Sequence, residues 1–224
     1  MFSKIIGTGG YLPKKIVTNK DLESTVDTTD QWIVERTGIK QRHIAEENET
    51  TSSMAVQASI DALSSANIQP EDIDLIIVAT TTPDQIFPST ACIVQNKLKI
   101  KAPAFDIQAA CTGFVYAVSI ADNYIKAGLN KNILVIGAEK YSNLLDWNDR
   151  STCVLFGDGA GAVILSAQSE PGIISTHIHA DGKYNDLLSV ENNHIKMKGN
   201  EVFKVAVNTL SKLVDETLSI NNMT

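Results

Sequence analysis

The strongest candidate for chemistry in this chain is a cysteine set among small residues, in the stretch PAFDIQAACTGFVYA from Pro103 to Ala117. A thiol attacks carbonyl carbon as its anion, and the anion is favoured beside unpaired backbone N–H groups at the positive end of a helix dipole. The pattern around Cys111 supplies such a place. Ala104 to Ile107 reads as a short buried strand, and Phe114, Ala117, Val118, Ala121 and Ile125 recur at helical spacing, so Cys111 falls on the joint between strand and helix. Ala109, Ala110 and Gly113 leave the sulfur sterically open. The competing reading is a buried cysteine acting as a small hydrophobe. That role is assigned to Cys92 and Cys153, which stand in apolar contexts.

A second constellation lies in Asp27 to Gly38, a short amphipathic helix with a capping-like Thr28 at its start and a glycine at its end. Trp32 and Arg36 are four residues apart and share one helix face. An indole beside a guanidinium forms a shelf on which a purine can stack while the cation meets phosphate. The alternative is a packing tryptophan beside a solvated arginine. His177 and His179 alternate on what reads as a strand from Gly172 to His179, which turns their side chains to one face. With no third ligand in sight, no metal site is assigned.

The elements needed to position these residues are legible as alternating strands and helices. Lys4 to Ile6 begins a strand that ends at Gly7-Thr8-Gly9-Gly10, and these glycines are not taken as a dinucleotide loop because no helix follows. Thr51 to Ala66 is a helix of small residues, Leu75 to Ala79 a strand apolar on both faces, Ser89 to Leu98 a helix, and Asn132 to Gly137 a third buried strand. Such alternation implies right-handed crossovers and a mainly parallel central sheet. Trp147 and Arg150 sit in a polar loop from Tyr141 to Ser151. The glycines of Phe156 to Ala162 precede another strand and point to close backbone packing or a bend. Asn200 to Ile220 has the apolar stripe of an amphipathic helix.

Composition narrows the function class. A 224-residue chain with 43% hydrophobic residues is long enough for a substantial core. The net charge of −7 argues against nucleic acid as the main partner. No apolar run approaches the length of a membrane span and no leader is recognisable, so a soluble, cytoplasmic protein is expected. Three cysteines without a C-x-x-C pair fit reduced thiols, with neither a disulfide framework nor structural zinc.

Taken together, the stretches KIIGTGGYLP, DTTDQWIVERTGI, LIIVATTTPD, FPSTA, AFDIQAACTGFVYA, FGDGAGA, PGIISTHIHADG and GNEVFKVAV resemble the bacterial β-ketoacyl-acyl-carrier-protein synthase III family of thiolase-like condensing enzymes. The resemblance implies an α/β thiolase-like fold, layered α-β-α around a mainly parallel mixed sheet. It implies acyl transfer, with acetyl expected, from coenzyme A to Cys111, then decarboxylative condensation with malonyl on acyl carrier protein to begin fatty-acid synthesis. On that mapping Trp32, Arg36 and Arg150 contact the nucleotide of coenzyme A, and Thr28, Gly199 and Phe203 line the same tunnel. Phe87 resembles the residue that the partner subunit of a homodimer lends to the acyl pocket. No cofactor is implied, since acyl-CoA and malonyl-carrier protein are substrates.

The family pattern continues past residue 224 and includes a histidine and an asparagine that act with the cysteine. None of His43, His177, His179 and His194 matches that histidine. The expectation is therefore a C-terminally truncated chain: residues 1–166 as the first half of a duplicated fold and residues 167–224 as an incomplete start of the second. Such a chain would load acyl groups but condense poorly. The alternatives are another thiolase-like acyl-CoA condensing enzyme and a non-catalytic dimer partner.

Overall fold

The computed structural model describes residues 1–223; Thr224, the last residue of the expected second segment, lies outside them. In chain order the elements are β1 (Phe2–Tyr11), β2 (Lys15–Thr18), α1 (Asn19–Glu23), α2 (Asp30–Thr37), β3 (Gln41–Ile44), α3 (Thr51–Ala66), β4 (Leu75–Ala79), α4 (Thr90–Leu98), β5 (Ala104–Ile107), α5 (Gly113–Lys126), β6 (Asn132–Lys140), β7 (Asp158–Gln168), β8 (Leu188–Glu191), β9 (His194–Met197) and α6 (Gly199–Ile220). They fall into two compact units made of interleaved segments. The first comprises Met1–Lys15, His43–Lys140 and Asp158–Ile178; the second comprises Ile16–Arg42, Tyr141–Gly157 and His179 onward.

The first unit is a five-stranded mixed sheet in the order β1-β7-β6-β4-β5. β6, β4 and β5 are parallel neighbours, whereas β7 is antiparallel to both β6 and β1. Four strands thus run one way and β7 alone runs against them. Alternation along β4 sends Ile76 and Val78 to one face, against Ala55, Ala58 and Ala62 of α3 and Ala91 and Val94 of α4. It sends Leu75, Ile77 and Ala79 to the other, against Ala117, Ala121 and Ile125 of α5. The result is the three-layer α-β-α arrangement.

Several local expectations are corrected by packing. β1 does not stop at the glycines of Gly7 to Gly10 but runs through them to Tyr11. Helix α3 lies so close that a Cβ on Gly9 would stand 2.2 Å from the Ala58 carbonyl oxygen, and one on Gly7 would stand 2.4 Å from that of Ala62. The glycines are there for contact, not to end the strand. Gly159 and Gly161 lie within β7. Close backbone packing holds at the first, where a Cβ would come within 3.2 Å of the Tyr11 carbonyl oxygen, and fails at the second, where it would meet nothing. β5 is half-buried, because it is the outermost strand of the sheet. Gly172 to His179 forms no strand. Ile173 donates to the Ser3 carbonyl at 2.9 Å, but a single bond to an edge strand makes no ladder.

In the second unit Leu22, Val26, Ile33, Cys153 and Val154 form a small core against which Trp32 and Trp147 pack. Arg42 is buried there with its guanidinium donating to the Asn19 side chain at 2.7 Å and to the carbonyls of Val17 and Val154 at 3.1 Å. β8 and β9 form an antiparallel hairpin. No residue of α6 is buried, and Leu210 on its apolar stripe is 60% exposed.

Candidate active site

Cys111 sits on a single 3₁₀ turn, Ala110–Thr112, that joins the end of β5 to the start of α5. The turn is closed by the Thr112 N–H and the Thr112 hydroxyl, which donate to the Ala109 carbonyl at 3.2 and 2.8 Å. It requires Ala110 to adopt φ +45°, a left-handed conformation unusual for a residue with a side chain. Strain of this kind survives only where surrounding contacts over-determine it, and it gathers at functional turns. Those contacts come from the neighbouring strand ends. A Cβ on Gly113 would stand 3.2 Å from Ala79 of β4, and one on Gly137 of β6 would stand 3.3 Å from the Phe114 ring. The Cys111 turn is therefore seated on the C-terminal ends of the parallel strands, where open α/β sheets place ligands.

Exposure separates the three thiols. Cys111 is exposed, Cys92 is half-buried and Cys153 is fully buried. Burial pushes the Cys153 thiol up from its ordinary range, with Asp149 adding to the effect, so it is an inert core residue. Cys92 Sγ lies 3.7 Å from the Ala104 carbonyl oxygen.

In the second unit, α2 brings Trp32 and Arg36 together. The N-cap is Thr29, not Thr28: its hydroxyl accepts from the Trp32 N–H at 3.1 Å, and the helix ends at Gly38 with φ +73°. One residue decides the cap because only Thr29 is in register with the first free N–H groups. The Arg36 guanidinium carbon lies 4.9 Å from the Trp32 ring centroid, and that of Arg150 lies 5.3 Å away. Arg150 donates to the Asp27 carbonyl at 2.5 Å and stands 3.5 Å from the Asp27 carboxylate. The hydroxyl oxygen of Thr28 is buried and has no hydrogen-bond partner. One indole thus carries two guanidiniums, an arrangement whose chemistry suits a planar base and an anionic group.

The remaining expected residues stand elsewhere. Gly199 opens α6 and is exposed, and Phe203, one turn on, is 69% exposed. Among the described residues neither takes part in the Trp32 ring contacts. Phe87 is 81% exposed beside Ile86 at 93%, on the loop between β4 and α4. His177 pairs with the Ser175 hydroxyl at 3.0 Å and His179 with Glu216 at 3.2 Å. Among the described residues no three His, Cys, Asp or Glu side chains group to hold a metal ion, and no helix is long and apolar enough to cross a membrane.

Comparisons with known proteins give the family and the fold. Residues 105–182, which begin in β5 and include Cys111, match the model of 3-oxoacyl-[acyl-carrier-protein (ACP)] synthase III. Over 99% of its length the chain is 58% identical to the β-ketoacyl-[acyl-carrier-protein] synthase III of Thiobacillus denitrificans, of which it covers 73%. It belongs to that family. A crystal structure of the synthase III from Aquifex aeolicus superposes with a TM-score of 0.96 at 55% identity, covering 99% of this chain and 73% of that one. The priming β-ketosynthase of the R1128 polyketide pathway superposes at 0.94 with 35% identity, covering all of this chain and 71% of that one. The synthase III fold is thus shared along the described chain, with the thiolase-like α-β-α layering expected from the motifs.

Sequence reasoning missed two acidic residues. Asp27 anchors Arg150, and Glu139 gathers the run of threonines that follows β4. The signal for the second was present in Thr80-Thr81-Thr82 directly after a buried strand, but its partner depends on the β4–β6 register, in which Ala79 faces Gly137.

Proposed function

We propose that this protein is a β-ketoacyl-acyl-carrier-protein synthase III in which Cys111 accepts the acyl group of an acyl-CoA, acetyl in the first instance, and passes it to malonyl held on acyl carrier protein. The Cys111 thiolate attacks the thioester carbonyl, the bond from that carbon to the coenzyme A sulfur breaks, and coenzyme A leaves as its thiolate. Malonyl then loses carbon dioxide, and the resulting enolate carbon attacks the acyl-cysteine and expels Cys111, leaving a β-ketoacyl product on the carrier. Trp32 stacks the adenine, while Arg36 and Arg150 offer charge to the phosphates and Thr28 its unused hydroxyl. Gly199 and Phe203 are read as flanking the same substrate, and exposed Phe87 as the residue offered to a second subunit of a homodimer. Residues 1–166 are read as the first half of the duplicated fold and 167–224 as the opening of the second, and the cytoplasm as the site of action.

One observation carries the reading: the only exposed thiol of the three sits on a 3₁₀ turn at a helix start, directly after a left-handed Ala110. The test is intact-protein and peptide mass spectrometry after incubation with acetyl-CoA. One acetyl group on Cys111 is expected, with Cys111→Ala folding normally and taking none. Loading that persists in Cys111→Ala overturns the assignment. Offering malonyl-CoA and malonyl-carrier protein to the loaded enzyme tells carrier-dependent condensation from that of a polyketide-type priming synthase.

A further inference from the structure

The carboxylate of Glu139, near the end of β6, accepts hydrogen bonds from three consecutive residues that follow β4. The Thr81 N–H reaches Oε1 at 2.8 Å and the Thr81 hydroxyl lies 3.0 and 3.1 Å from the two oxygens. The Thr82 hydroxyl donates to Oε2 at 2.5 Å, and the Thr80 hydroxyl approaches the same oxygen at 3.4 Å. All these donors are uncharged, so the carboxylate acts as a multi-point acceptor and not as half of an ion pair with them. The Thr82 hydroxyl has a fixed polarity: it already accepts from the Lys140 N–H at 2.8 Å, which leaves its proton for Glu139.

Thr80 carries this anchorage towards the nucleophile. It is buried, its N–H donates to the Ile107 carbonyl at 3.2 Å, and Ile107 is the last residue of β5 before the Cys111 turn. On the other side Ala79 meets Gly113, and Gly137, two residues before Glu139, meets Phe114. Glu139 therefore ties the end of β6 to the residues after β4, and through the Thr80 N–H to the end of β5, the strand that leads into the turn where Ala110 is left-handed.

From this juxtaposition we infer that Glu139 is a positioning residue for acyl transfer: by clamping Thr80–Thr82 it holds the Cys111 turn in its reactive shape. The inference deepens the acyl-transfer reading and rests on it for the kinetic consequence. The geometric claim stands on its own. Glu139 touches no substrate in this scheme, so its loss should lower the rate of the acylation step and leave acyl-CoA binding at the Trp32 platform untouched.

The test compares wild type, Glu139→Gln and Glu139→Ala in two measurements. In acetyl-CoA loading kinetics, Glu139→Ala should lose about 10- to 100-fold in kcat, the order expected for misplacing a reacting group by an ångström, with KM within about twofold. Glu139→Gln keeps one acceptor oxygen for the Thr81 N–H and should fall between. In amide hydrogen exchange, peptides covering Thr80–Thr82 and Ala109–Gly113 should exchange about 10-fold faster in Glu139→Ala while those of α3 and β7 keep wild-type rates. Should Glu139→Ala fail to fold, Thr82→Val is measured the same way with the same local signature expected. Unchanged exchange at Ala109–Gly113, or acceleration spread evenly over the first unit, overturns the inference, as does a raised KM at constant kcat. A wild-type protein that takes no acyl group would defeat the acyl-transfer reading while the exchange measurement still decides whether Glu139 holds the turn.

Discussion

Replacing Trp32 with alanine tests the proposed nucleotide platform. The ring makes two kinds of contact in the structure, and the proposal adds a third, to the base. It packs on the small core around Ile33 and Cys153, and it carries the Arg36 and Arg150 guanidiniums at 4.9 and 5.3 Å. Each exposed cation–π contact is worth about 0.5–1 kcal/mol, but both exist without nucleotide, so to first order their loss cancels between free and bound protein. What remains is stacking of the base, about 1–3 kcal/mol. Trp32→Ala should therefore raise the KM for acetyl-CoA by about 5- to 150-fold with kcat held, the signature of lost uniform binding. The assay is acyl loading of Cys111 with acetyl-CoA and, in parallel, with acetyl-pantetheine, which lacks the adenine nucleotide. Its KM should be the same in both proteins. Trp32→Phe, which keeps an aromatic face and most of the packing, should recover much of the affinity. Equal losses for the two thioesters, or an unchanged KM for acetyl-CoA, would refute the platform and return Trp32 to a packing role.

Gly9→Ala places a methyl group 2.2 Å from the Ala58 oxygen and 2.4 Å from the Ala62 nitrogen, both backbone atoms of α3 that no rotamer change can move. A loss of about 3 kcal/mol or more is expected in urea unfolding, and an unchanged midpoint would contradict the close strand–helix contact. Tyr11→Phe should cost about 1–2 kcal/mol at pH 7, because the Tyr11 hydroxyl donates to the Glu49 carboxylate. The same bond, chiefly, holds the Glu49 carboxyl below its ordinary 4.5 and the Tyr11 phenol above its ordinary 10.0. The depressed carboxyl stabilises the fold above pH 4.5 and loses that effect as pH falls through its folded value. The raised phenol stabilises it below pH 10.0 and loses that effect as pH rises. Stability measured across pH should therefore be flatter at both ends in Tyr11→Phe than in wild type, and parallel profiles would show the bond to be of no consequence.

Much of the candidate site was readable before any coordinates. Cys111 on a strand-to-helix joint, Trp32 and Arg36 on one helix face, α3 from Thr51 to Ala66 and the all-apolar β4 follow from periodicity and from residues within a turn of one another. Thr28 and Thr29 show the limit of such reading, since both are capping residue types and only the helical register chooses between them.

Features that need a distant partner were not readable. Gly7 and Gly9 look like a strand terminator until α3 is laid on them, and Gly172 to His179 alternates like a strand but finds no ladder beside β1. The reversed course of β7 and the half-burial of β5 depend on strand order. The meeting of Glu139 with Thr80–Thr82 depends on Ala79 facing Gly137. Near neighbours along the chain determine backbone preference and which side of an element is apolar, because those are properties of a few consecutive residues. Inter-strand hydrogen bonds and the carboxylate that collects three threonines arise only when segments 50 or more positions apart are brought into register, and that was settled by the packing of the whole first unit.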